Sequence, residues 1–289
     1  MDNDHRALQA LLVFYSEAGV DTPLGEAAVD RLAPEPQVPM RTALAPQRAS
    51  APSREKRDGQ WMARPPSRPG VRETSSATPA ALSASPEAGL LAARAAAQAA
   101  GTLDELRAAL GAFAGCSLRQ TATQLVFADG NPAARVMFVG EAPGRDEDIA
   151  GLPFVGRSGK LLDRMMAAIG LDRSSAYIAN IVPWRPPGNR TPTPQESAIC
   201  LPFTLRQIEL ANPDILVCLG GPSAQTLLNV RDGILKTRGR WFPFRTGTRE
   251  IRAIATLHPA YLLRQPLQKR LAWRDFLAIK QALSRAVQT

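Results

Sequence analysis

Residues 135–165 read RVMFVGEAPGRDEDIAGLPFVGRSGKLLDRM, and this stretch decides the fold. The apolar run Arg135 to Val139 has the length and β-branched content of a buried strand. It empties into a loop of glycines, prolines and four acids, Glu141, Asp146, Glu147 and Asp148, before helical spacing resumes at Leu161. Glycines let backbone approach a ligand closely, and acids polarise water. The lone aromatic of the loop, Phe154, between Pro153 and Val155, suits stacking on a flat ring.

Outward from this stretch, strand and helix alternate. Ala176 to Ile181, Ile215 to Leu219 and Arg252 to Thr256 read as further strands. Lys160 to Ile169, Pro194 to Leu210, Pro222 to Leu228 and Leu267 to Ala286 read as helices, with an Ala-rich helical lead-in from Glu87 to Phe113. The pattern predicts a three-layer α/β/α fold around a mainly parallel, four-stranded sheet. Ligands of such sheets bind beyond the carboxyl ends of the strands. The loops there carry GEAPG, NIVPWRPPGNRTP, GGPSA and LHPAYLLR, and they are expected to converge at one edge.

The expected core spans residues 86–289, enough for one well-buried domain. Ahead of it, residues 31–85 are rich in Pro, Ala, Ser and Arg without apolar periodicity, the composition of a disordered linker. Within residues 1–30, Leu8, Leu11, Leu12, Tyr15 and Ala18 fall on one face of a short helix.

The formal charge is +9, unevenly distributed. From Arg231 onward thirteen Lys or Arg face three acids, an excess of ten, so the rest of the chain is close to neutral. A one-sided basic excess suits a polyanion, and an Arg-rich solvated surface is the plainer alternative. No apolar run of 18 residues and no signal-type apolar region occur, and the three cysteines are odd in number and widely spaced. These features lead us to expect a cytoplasmic protein in a reducing compartment, with no membrane span.

With GEAPGRDED, GLPFVGRSGKLL, NIVPWRPPGNRTP and HPAYLLR in this order, the chain resembles the uracil-DNA glycosylase superfamily, most closely its family 4, from about Cys116 to the C-terminus. The resemblance implies hydrolysis of the N-glycosidic bond of uracil flipped out of DNA, leaving an abasic site for base excision repair. It implies that Phe154 stacks on the base and that Asn180 accepts from uracil N3 and donates to O4. His258 donates to O2 as charge develops there, and Gly140, Glu141 and Ala142 line the pocket. Glu141 and Glu147 are both candidates for polarising the hydrolytic water, left unranked. Arg185, Asn189, Arg190 and Arg264 are expected at phosphates, as is Ser223 at the helix start of GGPSA. Lys160 is the one lysine in these loops and opens a helix, so excision without strand cleavage is expected. The alternative is a non-catalytic relative that only binds uracil or DNA.

The chain departs from the resemblance at one place. Family 4 implies a [4Fe-4S] cluster on four cysteines. Of the four positions, Phe113, Cys116, Trp184 and Cys200, only two carry thiols, and Cys218 lies inside the apolar strand ILVCL. The cluster is therefore expected to be absent, with both aromatic rings filling its volume. Finally, Gln9 to Phe14 (QALLVF) has the Q-x-x-L-x-F spacing of bacterial sliding-clamp ligands.

Overall fold

Strands buried on both faces need apolar side chains pointing both ways, and the core strands here have them. The structure, a computed structural model, describes residues 86–285. The expected N-terminal helix, the linker and the clamp motif lie outside the described residues. The strands are β1 (Asp129–Gly130), β2 (Val136–Gly140), β3 (Tyr177–Asn180), β4 (Ile215–Leu219), β5 (Trp241–Arg245) and β6 (Glu250–Thr256). In space they run β1-β3-β2-β4-β6-β5. The inner four are parallel, in register Gly140 to Asn180, Val139 to Cys218 and Leu219 to Thr256.

Two short antiparallel edge strands extend the expected four to six. Neither shows in the sequence pattern for a physical reason. β1 is two residues long, and β5, reading WFPFR, carries Pro243, which a sheet tolerates at its edge.

The helices are α1 (Pro86–Ala99), α2 (Leu103–Ala112), α3 (Leu118–Thr121), α4 (Arg145–Ala150), α5 (Arg157–Ala167), α6 (Pro194–Ala211), α7 (Gly221–Leu228), α8 (Ile234–Thr237), α9 (Pro259–Arg264) and α10 (Lys269–Arg285). Alternation along the strands assigns them to layers. Met137, Val139, Ala179, Leu216, Cys218 and Ala255 share a core with Leu106, Ile199, Phe203 and Ala224 of α2, α6 and α7. Val136, Phe138, Ile178, Val217 and Ile254 pack instead with Leu162 and Met166 of α5 and Phe276 and Ile279 of α10. The Phe138 and Phe276 rings stack at 5.9 Å between centroids.

Local chemistry sets the helix limits. The expected single lead-in helix is two, because Thr102 caps α2 by accepting from the Glu105 amide at 3.1 Å. A further turn, α4, forms inside the acidic loop, where Glu147 reaches back to the Gly144 amide at 3.1 Å. At α7, Ser223 is fully buried, and its hydroxyl donates to the Val139 carbonyl at 2.7 Å, tying α7 to β2. Ser223→Ala should therefore lower unfolding free energy by about 1 to 2 kcal/mol, the range for a lost buried hydrogen bond. Denaturant unfolding checks this, and an unchanged midpoint would mean that the bond contributes nothing.

Candidate active site

The parallel register places Gly140, the last residue of β2, beside Asn180, the last of β3. A Cβ at Gly140 would fall against the Asn180 side-chain oxygen and 2.6 Å from Cζ of Phe154. The missing side chain therefore leaves room for the amide and the ring together. Above them opens a cleft of about 650 Å³, lined among others by Glu141, Ala142, Glu147, Phe154, Asn180 and His258. Gly220 and Gly221, after β4, close another side. Loops from β2, β3, β4 and β6 thus meet at one carboxyl edge, flanking the point where strand order reverses about β2.

Two residues that line this cleft each carry a buried acceptor with no hydrogen-bond partner, Oδ1 of Asn180 and Oε1 of Glu141. Leaving such an atom unsatisfied costs roughly 1 to 3 kcal/mol, and a site made to receive a donor is where this cost is tolerated. Burial raises the Glu141 carboxyl above its ordinary value.

His258 starts α9, and its Nδ1 accepts from the Ala260 amide at 3.1 Å. That bond needs Nδ1 unprotonated, so the neutral ring carries its proton on Nε2 as a donor. Burial, and then the charge of Arg264, push the imidazole down to about 4. The ring lies 5.5 Å from that of Phe154, tilted by 33°.

The two acids are not equivalent. Glu147 is buried, with Oε1 accepting from Val155 and Gly156 at 3.1 and 2.9 Å and Oε2 from Gly144. Its carboxylate is a strut that joins the start of α4 to the segment after Phe154. Asp148 is likewise buried and accepts from the Thr123 and Gln124 amides. Asp146 is exposed.

The expected phosphate contacts divide. Arg264 is exposed on the rim and lines the cleft. Arg190 and Asn189 also line it, but Arg190 is paired in two bonds with Glu196, at 2.8 and 2.6 Å, and holds that carboxyl down at about 2. Arg185 donates to Oδ1 of Asn189 at 2.6 Å and does not line the cleft. Tyr261, another lining residue, was not among the expected site residues, and Leu267 is 86% exposed on the turn after Arg264.

The cluster positions gather in one apolar region. Cys116, Trp184 and Cys200 are buried in the same core, against which Phe113 packs with its ring 5.1 Å from that of Phe203. The Cys116 and Cys200 sulfurs stand 4.0 Å apart. The neighbouring Cys116 sulfur, and then burial, hold the Cys200 thiol well above its ordinary value. Two thiols and two aromatic rings do not make the four-thiolate donor set of a cubane. Among the described residues no group of three or more His, Cys, Asp or Glu side chains is arranged to hold a metal ion.

An amide, a neutral imidazole and an aromatic ring around one cleft at the carboxyl edge of a parallel sheet define a pocket for a flat, hydrogen-bonding heterocycle. Residues 127–277 match the profile of the uracil DNA glycosylase superfamily, and the chain belongs to that superfamily. Among its relatives, the type-4 uracil-DNA glycosylase of Archaeoglobus fulgidus is 42% identical over 168 residues, covering 57% of this chain and 84% of that protein. The type-4 enzyme of Thermotoga maritima is 44% identical over 150 residues, covering 52% and 77%. That of Saccharolobus solfataricus is 40% identical over 174 residues, covering 58% and 81%.

The histidine assignment is directly measurable, because the chain has only His5 and His258. Followed by NMR, with His258→Asn for assignment, the His258 imidazole should titrate near 4, below the ordinary value of about 6.5. The sign for stability follows. Between these values the unfolded chain binds the extra proton and the folded one does not, so His258 destabilises the fold as pH falls from about 6.5 towards 4. A His258 imidazole titrating above pH 6 would refute the neutral state.

Proposed function

We propose that this chain hydrolyses the N-glycosidic bond of uracil in DNA, working on a base swung out of the stack and leaving an intact abasic strand. The observation that carries this reading is the unpartnered Oδ1 of Asn180, a residue that lines the cleft together with Phe154 and His258. Uracil brings an N3–H to that oxygen, while cytosine offers only an acceptor at the same atom. The side-chain nitrogen of Asn180 donates to O4. Phe154 stacks on the ring, an interaction worth roughly 1 to 3 kcal/mol in base recognition.

As the bond to the sugar breaks, negative charge spreads onto the departing ring, and Nε2–H of His258 donates to O2. A neutral donor suits this task, since it stabilises the anion without first losing a proton to solvent. Positive charge grows on the sugar at the same time. Glu141, with its buried free oxygen, is the carboxylate that polarises the attacking water and stabilises the cation, while Glu147 holds the loop in shape. Among the described residues no lysine lines the cleft, and Lys160 is exposed, so none of their amines is placed to cleave the strand. Arg264 meets a phosphate at the rim, and Leu267 is suited to fill the gap that the flipped base leaves. This work is assigned to residues 86–289, in the cytoplasm, as the excision step of base repair.

The deciding experiment mixes purified protein with a uracil-containing oligonucleotide and a matched thymine control, then adds alkali. Cleavage of the uracil strand alone, and only after alkali, is expected; binding without product would favour a non-catalytic relative. Asn180→Asp and His258→Ala should each lower kcat by about 10²-fold or more, the scale for losing one stabilising donor. Activity should fall as pH drops through the raised pKa of Glu141, and Glu141→Gln should abolish that acid limb. Retention of the limb in Glu141→Gln would remove it from this role.

The same reading includes a domain without the iron–sulfur cluster, supported by the aromatic rings at two of its four positions. Protein purified without oxygen should be colourless and carry no stoichiometric iron. A broad band near about 400 nm with roughly four irons per chain would refute this.

A further inference from the structure

Phe154 has φ of 56°, in the left-handed region that a bulky aromatic residue adopts only when its surroundings impose it. Three features surround it. Gly159 has no side chain where a Cβ would lie on the Phe154 carbonyl, 2.8 Å from its Cα. Glu147 takes up the amides of Val155 and Gly156, the two residues that follow. The third is Arg173, which lies in the connection between α5 and β3 and does not line the cleft.

The Arg173 guanidinium donates from Nη1 to the Pro153 carbonyl at 3.2 Å and from Nη2 to the Phe154 carbonyl. It is held in turn by two acids from different elements, Asp163 of α5, at 2.9 Å from Nε, and Asp129 of the edge strand β1. One planar fork thus meets four acceptors, two of them the backbone oxygens on either side of the Phe154 amide. Lysine, with a single nitrogen, cannot span them.

We infer that Arg173 is the positioning residue for the base-stacking ring, fixing Phe154 in its left-handed conformation through the carbonyls of Pro153 and Phe154. The inference rests on the stacking role proposed above. It also gives the two-residue strand β1 a function, since Asp129 anchors the far side of the clamp. Arg173 touches neither the base nor the reacting bond, so its effect on catalysis passes through the ring.

A double-mutant cycle tests this, with kcat/KM on a uracil-containing oligonucleotide and melting temperature measured for the wild type, Arg173→Lys, Phe154→Ala and the double variant. Arg173→Lys should lose about 10-fold in kcat/KM when the ring is present. It should lose no more than about 2-fold further when Phe154 is already alanine, because interacting residues are non-additive where independent ones add. Should Arg173→Lys fail to fold, Arg173→Gln, which keeps a planar donor, passes through the same cycle. A loss that persists in full without the ring, or no loss at all, overturns the clamp alone. Phe154→Ala with wild-type activity overturns the stacking role and the clamp built on it.

Discussion

The absence of a side chain at Gly140 is the constraint on which the site depends. Parallel pairing sets this residue beside Asn180, and any Cβ there would collide with the amide and with the edge of Phe154. A strand ending in alanine would keep the sheet and lose the cleft. The remaining loops are arranged around this space, each anchored by contacts of its own. Ser223 ties α7 to β2, Glu147 ties α4 to the turn beyond Phe154, and His258 caps the helix that it begins.

Charge is distributed with the same division of labour. Of the four acids that crowd the first loop in sequence, two, Glu147 and Asp148, are taken up by backbone amides. Glu141 alone of the cleft's acids keeps a buried oxygen free. Several of the basic residues are likewise engaged, Arg190 with Glu196 and Arg238 with the buried Asp275. The Asp275 pair reaches the active site indirectly, because Thr256 donates to Asp275 at 2.7 Å just two residues before His258. A basic surface and a built interior therefore draw on the same arginines.

The parallel strands were legible because each is a short apolar run bounded by glycine or proline, and burial on both faces demands that composition. The cleft was legible for a related reason, since the loops at the carboxyl ends carry dense groups of Gly, Pro and Asn together with His258. What could not be read was which polar atoms would be used up inside the fold. Ser223 and Glu147 look exposed and reactive in sequence, but their partners are main-chain atoms, which no side-chain pattern records. Arg173 gave no signal either, as its acceptors are two carbonyls about twenty residues away. Edge strands escape for want of length or because of a proline.

Phe113 and Trp184 have a consequence for how the protein comes into being. Where a four-thiolate site has to await iron and sulfide before its segments are joined, rings closing on Phe203 and the surrounding aliphatic residues form as the chain collapses. On the cluster-free reading proposed above, maturation needs no delivery of metal. On that reading an oxidant reaching this region meets the two buried thiols of Cys116 and Cys200 rather than a labile inorganic core.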